Sequence, residues 1–373
     1  MRRIIIIFAV LAVLTCSFSA CGNEGSAKLE KSTAQTAQQT KENTSAQQKT
    51  KAGRLDVKDI PAPSLQNNII GEPTTQGITV YLPASYENSG KNYPVVYFLP
   101  GFGDDYKAYG DAFAPAMDRL ITSGKAKDMI VVTVNGRTAA GGSFYNNSSV
   151  TGNWEDFVVK DVVNYVDSNY RTIKDANSRG ISGHSMGGFG AINIAMHHPE
   201  MFSSLYAMSP GLFDKTGLSE SPFAPNDTYL DQIESAASSG QLINDIVNAY
   251  GMAFAPDPKG KAPYMLFPYK KVNGKVMLDN NILKLWENGF GGIDQKIEQY
   301  KDNLKKFKAI TIEYGENDEY PWIPRGCEYF SKKLTDAGIV NKLVTFEGDH
   351  QTLAISRYEE FVLPFFSQQL TFQ

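Results

Sequence analysis

Apolar positions divide this chain into three regimes. Residues 4–14 are almost wholly apolar, and residues 22–53 hold one Leu and no aromatic residue. From about residue 55, short apolar runs alternate with amphipathic stretches. In that third regime residues 93–100 and 129–134 are continuous apolar runs, as expected of strands buried on both faces. Residues 64–70 and 77–82, with Gly71-Glu72-Pro73 between them, predict an antiparallel hairpin at a sheet edge. Further strands are predicted at 179–182, 204–209, 309–314 and 342–346. Helical spacing marks 154–170, where Phe157, Val158, Asp161, Val162, Tyr165 and Val166 mix a buried and a wet face. The same spacing recurs at 189–197, 323–337 and 356–369. Strand and helix in alternation predict an α/β fold, a mostly parallel sheet covered by helices on both faces.

Residues 212–308 break the alternation. They are rich in Pro, Gly and aromatic residues, with helices expected only near 231–250 and 293–307. An insertion of that length between two core strands is expected to be a lid or side wall over an active site.

The N-terminus reads as an export signal. Arg2 and Arg3 precede an apolar core at 4–14 that is too short for an ordinary membrane span. Phe18-Ser19-Ala20-Cys21-Gly22 resembles a bacterial lipoprotein box, with Phe18 where Leu is usual. The expectation for 1–21 is therefore a signal peptide with a lipid on Cys21, ordinary cleavage and secretion being the alternative. Residues 22–54 lack the apolar surface to fold and are expected to form a flexible tether. The folded domain is assigned to 55–373.

Composition narrows the chemistry. A formal net charge of -4 gives no reason to expect a nucleic-acid partner. Cys16 and Cys21 lie in the export segment, so Cys327 is left as a lone thiol and no disulfide framework is expected. With four histidines in all, a His-rich metal site is not expected either.

One stretch organises the rest. Gly183-His184-Ser185-Met186-Gly187-Gly188 follows a short strand and runs into a helix, the setting of a nucleophile elbow. A serine there needs a sharp, strained turn, and glycines at 183 and 187 let neighbouring backbone approach. The hydroxyl also needs a base. His184 adjoins the serine and cannot turn back onto it, and His197 and His198 lie at the far end of the elbow helix. That elimination leaves His350, in the loop after the last predicted strand. The carboxylate that orients it is assigned to Asp318, in the loop after strand 309–314, with Glu316 and Asp349 as rivals. The order Ser185, Asp318, His350 is that of α/β-hydrolases. Backbone amides of Met186 and Phe102 are the expected oxyanion donors, Phe102 lying in the glycine-bearing loop 99–103.

Several motifs resemble the esterase D family. They are Thr79-Val80-Tyr81-Leu82-Pro83, residues 93–101, Gly152-Asn153-Trp154-Glu155-Asp156-Phe157, Asp161, Tyr170-Arg171-Thr172 and the elbow itself. That family includes feruloyl and acetylxylan esterases of carbohydrate esterase family one, S-formylglutathione hydrolases and mycolyltransferases. The resemblance covers nearly all of residues 64–370 and implies an α/β-hydrolase without cofactor, with the triad and oxyanion positions given above. Pro100 departs from the family, which often has His before the glycine of the oxyanion loop. Residues 141–145 resemble a substrate-side loop.

The function so implied is a secreted or lipid-anchored serine carboxylic ester hydrolase working through an acyl-enzyme. Its expected substrate is a small-molecule or polysaccharide ester, feruloyl or acetyl, and membrane contact is expected only through a lipid on Cys21. The alternatives are an acyltransferase to a sugar or lipid alcohol and a non-catalytic surface binding lipoprotein. Tyr264, Phe267, Tyr269, Trp286 and Phe290 either face a sugar or phenolic acid or pack the insertion against the sheet. Nothing in the sequence indicates an oligomeric state.

Overall fold

Eight strands build the central sheet of the computed structural model, which describes residues 52–224, 230, 231, 235 and 238–373. They are β1 (Arg54–Pro61), β2 (Thr75–Leu82), β3 (Val95–Leu99), β4 (Ile130–Val134), β5 (Arg179–His184), β6 (Ser204–Met208), β7 (Ala309–Gly315) and β8 (Lys342–Phe346). Their spatial order is β1-β2-β4-β3-β5-β6-β7-β8. β1 and β2 pair antiparallel at one edge, β2 meets β4 antiparallel, and every pair from β4 to β8 is parallel. This is the α/β-hydrolase arrangement that the sequence predicts.

The apolar runs explain the layering. Every residue of β3 and β4 is buried. Along β3, Val95, Tyr97 and Leu99 enter one core while Val96 and Phe98 enter the other, as the two-residue period of a strand demands. Helix α1 (Tyr106–Thr122) and the C-terminal helix, contiguous through Ala354–Arg357, Tyr358–Val362 and Leu363–Gln369, cover the second core, where the Phe113 and Tyr358 rings stack at 3.8 Å. Helix α2, contiguous through Trp154–Asp156, Phe157–Val162 and Val163–Asn169, covers the first core together with α3 (Met186–His197).

Two expectations near the N-terminal edge need correction. Residues 64–70 are not a strand: Pro63–Leu65 is a short 3-10 turn, and Asn67 turns the chain at φ 64°. The edge partner of β2 is β1, whose mostly solvent-facing sequence RLDVKDIP hides a strand inside a polar stretch. Arg54, assigned to the tether, is the first residue of β1. The expected signal at 1–21, its Cys21 and the tether up to residue 51 lie outside the described residues. Among the described residues no helix is long and apolar enough to cross a membrane.

The chain between β6 and β7 holds α4 (Ile246–Phe254), a hairpin of Tyr269–Val272 and Lys275–Leu278, α5 (Asn280–Phe290) and α6 (Ile293–Leu304). The helix expected at 231–250 is interrupted: Asp231, Ser235, Ser238 and Ser239 are helical, residues 240–245 are not, and α4 begins after Asp245, whose carboxylate accepts from the Val247 and Asn248 amides. Part of the remainder, 232–234 and 236–237, lies outside the described residues. Trp286 is fully buried and donates its Nε1–H to the Leu266 carbonyl. Tyr269 is also buried, and Tyr264 and Phe267 pack partly buried against the core. Of the five rings singled out in the insertion, these four serve packing.

Candidate active site

Strand β5 ends at His184 and helix α3 begins at Met186, so Ser185 occupies the whole turn between them. Its backbone is held at φ 54°, ψ -115°, a conformation that a non-glycine residue adopts only under constraint. The constraint is visible. The Ser185 amide donates to the Met208 carbonyl, and the Ser185 carbonyl accepts from the Phe189 and Gly211 amides. The flanking glycines are required sterically. A Cβ on Gly187 would stand 1.8 Å from the Leu99 carbonyl oxygen, and one on Gly183 would stand 2.2 Å from that of Gly187.

The three residues named as nucleophile, base and acid converge. His350 Nδ1–H donates to Asp318 Oδ2 at 2.8 Å, leaving Nε2 to accept from the Ser185 hydroxyl at 2.9 Å. Both partners of the His350–Asp318 hydrogen bond are nearly sealed from solvent, with side chains 7% and 0% exposed. Asp318 follows β7, and its free oxygen accepts from the Tyr320 amide at 2.9 Å. The two rival carboxylates are engaged elsewhere. Glu316 accepts from the Thr345 hydroxyl, and Asp349 accepts from the Gln351 and Thr352 amides.

His184 has a place that the sequence reading missed. Its Nε2–H donates to the main-chain carbonyl of His350 at 2.8 Å, tying the end of β5 to the loop after β8. Burial, and then the neighbouring His350, push the His184 pKa down to about 3, so the ring is neutral. Its Nδ1 has no hydrogen-bond partner among the described residues. Residue spacing gave no sign of this bond, because its two partners are 166 positions apart.

The loop after β3 is braced from several sides. Asp104 Oδ2 accepts from the Gly101 amide and from the Tyr109 hydroxyl, at 3.0 and 2.9 Å. The Gly103 amide donates to the Gly141 carbonyl. Tyr145 donates its hydroxyl to the Pro100 carbonyl at 3.1 Å, so the residue that departs from the resembled family is itself anchored. Phe102 and Met186, the expected oxyanion donors, both line the cleft beside Ser185.

That cleft has a volume of about 420 Å³. Phe102, Phe144, Phe290, Tyr320 and Trp322 line it, and the Phe144 and Phe290 rings meet with centroids 5.5 Å apart. Residues 141–145 contribute Phe144, while Tyr145 is packing. Pro222, Ile246 and Phe290 come from the insertion, which therefore forms a side wall of the cleft. Among the described residues no cluster of His, Cys, Asp and Glu has the arrangement of a metal site.

Residues 71–244 match the family model Esterase, described as "Putative esterase". An esterase of Mycobacterium tuberculosis (Rv1288) is 36% identical over 132 residues, 34% of this chain and 27% of that protein. An endo-1,4-beta-xylanase/feruloyl esterase of Xylanibacter ruminicola is 30% identical over 145 residues, 37% of this chain and 20% of the relative. The chain thus spans about a quarter or less of the length of these relatives. In structure, a ferulic acid esterase matches with a TM-score of 0.58 at 22% identity, covering 86% of this chain and 99% of the other. The segment that carries the serine elbow and the glycine loop matches the Esterase family model, and the domain around it has the α/β-hydrolase fold.

Proposed function

We propose that the protein is a serine carboxylic ester hydrolase acting through an acyl-enzyme, with Ser185 as nucleophile, His350 as base and Asp318 as its orienting acid. The observation that carries this reading is the unbroken hydrogen-bond path from Ser185 Oγ through His350 to Asp318 at the cleft. Ser185 Oγ attacks the ester carbonyl as His350 Nε2 takes its proton. The oxyanion is received by the amides of Met186 and Phe102. His350 then returns the proton to the departing alcohol. Water repeats the sequence on the acyl-enzyme and frees the acid.

The favoured substrates are feruloyl or acetyl esters of polysaccharide. The aromatic cleft wall suits a flat acyl group, and the names of the two feruloyl esterases similar to this chain point the same way. The basic start at Arg2 and Arg3, the apolar core 4–14 and the small residues before Cys21 support export with a lipid anchor.

The test is a substrate panel on the purified protein: acetyl, butyryl and feruloyl esters, a thioester, and acetylated or feruloylated oligosaccharides. Esters on oligosaccharide should exceed matched long-chain fatty esters in kcat/KM, and a fluorophosphonate should label Ser185 alone. A tenfold preference for long-chain esters would replace the polysaccharide reading. Acyl transfer to an added alcohol in preference to water would make the protein a transferase. Absence of both turnover and label would leave a binding protein.

A further inference from the structure

Tyr320 differs from every other ring at the cleft. Phe144, Phe290 and Trp322 are buried and Phe102 is half-buried, whereas Tyr320 is 40% exposed. Its ring meets the His350 ring edge-on, with centroids 5.1 Å apart and planes at 86°. The residue is fixed at both ends of its backbone. Its amide donates to Asp318 Oδ1, and its carbonyl accepts from the Ile323 amide at 2.8 Å. The same carboxylate therefore positions the ring and orients His350.

The geometry points to Tyr320 as the platform of a carbohydrate subsite on the alcohol side of the scissile ester. This inference rests on the ester-hydrolase reading above. In that reaction the departing alcohol collects its proton from His350 Nε2, so the alcohol moiety has to lie on the His350 side of Ser185. The ring exposed there is Tyr320. A sugar presents an apolar C–H face to such a ring and turns its hydroxyls outward. The surrounding rim supplies partners for those hydroxyls: Glu319 and Gln351 are both exposed beside His350, and Glu319 Oε2 accepts from the His350 amide. A fatty alcohol would need a continuous apolar trough, and a carboxylate and an amide interrupt one at this point. The buried rings deeper in the cleft remain for the acyl group.

The experiment compares two esters of one acid, methyl ferulate and a feruloylated arabinoxylo-oligosaccharide, on the wild type, Tyr320→Ala and Tyr320→Phe. The expected result is that Tyr320→Ala lowers the ratio of oligosaccharide-ester to methyl-ester kcat/KM about tenfold, largely through KM. Tyr320→Phe keeps the wild-type ratio. An unchanged ratio in Tyr320→Ala overturns the subsite, and so does an equal loss on both esters, which makes Tyr320 a support for His350. A separate readout is binding of the de-esterified oligosaccharide to Ser185→Ala protein by calorimetry, with and without Tyr320→Ala. Binding lost with the ring supports the subsite even if the wild type cleaves neither ester, in which case the hydrolase reading alone fails. Binding indifferent to the ring counts against the subsite whatever the turnover.

Discussion

His184 and His350 are joined by a hydrogen bond from the Nε2–H of the first to the main-chain carbonyl of the second, 2.8 Å long and buried. The residue that precedes Ser185 thereby holds the loop that presents His350, the proposed base. Small displacements of a catalytic group cost large factors in rate. His184→Phe should therefore lower kcat about 10- to 100-fold with little change in KM. His184→Gln, whose amide can donate to the same carbonyl, should recover most of that loss. Full kcat in His184→Phe, measured at steady state, would show that the bond does not position His350.

The same ring carries a pH signature. His184 has a folded-state pKa of about 3 against an ordinary value of 6.5, so between these values the unfolded chain binds the proton more readily. Its contribution makes the native state less stable as pH falls from 6.5 toward 3. Thermal unfolding of His184→Phe should accordingly show a shallower acid slope than the wild type. An identical slope would mean that His184 is not held neutral by burial.

Ser185 stores backbone strain at φ 54°, ψ -115°. Ser185→Ala and Ser185→Gly should both abolish ester hydrolysis, but only glycine relaxes the turn. Ser185→Gly should therefore be the more stable of the pair by about 1 kcal/mol. Chemical denaturation of the two inactive proteins measures the difference directly, and equal stability would argue against strain at this residue.

Asp318→Asn should cut turnover by up to about 10⁴, as expected when the carboxylate that fixes the histidine tautomer is lost. Glu316→Gln should cost far less, because that carboxylate accepts from Thr345 on the neighbouring strand. Steady-state kinetics on one ester decide between them. An exchange of the two results would transfer the acid role to Glu316.

Away from the cleft, Glu155 is buried against His197, His198 and Asn193. Burial raises its pKa, but the two histidines outweigh that effect and hold it at about 2. Hydrogen bonding to Glu155, against burial, raises the His198 pKa above 6.5. The carboxylate contribution is present above pH 4.5 and is lost as pH falls toward 2; the histidine contribution is present below 6.5 and is lost as pH rises. Glu155→Gln should be destabilised by about 2 kcal/mol, with the gap to the wild type widest between those two values. A gap that does not vary with pH in denaturant titrations would refute the coupling.

How much of this was legible depends on where each signal resides. The elbow is local, so the glycines at 183 and 187 disclose it, and their absent side chains leave room for the Leu99 and Gly187 carbonyls. His350 is reachable by elimination, since only four histidines exist. Asp318 and Glu316 are two residues apart, and only the direction of each side chain separates them. Helix α1 escaped the sequence reading because Gly110 and Pro115 interrupt its pattern, although a Cβ on Gly110 would strike Thr79. The rings of the insertion were equivocal for a different reason. Aromatic residues pack cores and line clefts alike, and of the five only Phe290 reaches the cleft.

The division of labour around the cleft bears on how such a protein diversifies. Ser185, Asp318 and His350 sit just beyond β5, β7 and β8, whereas Pro222, Ile246 and Phe290 all come from the single segment between β6 and β7. On the ester-hydrolase reading, reactivity is inherited with the sheet and part of selectivity with one contiguous loop. Recombination that exchanges residues 212–308 between relatives would hand over that wall in one event and leave the hydrogen bonds among Ser185, His350, Asp318 and Gly211 in place. Substrate preference in such a lineage is free to change faster than chemistry.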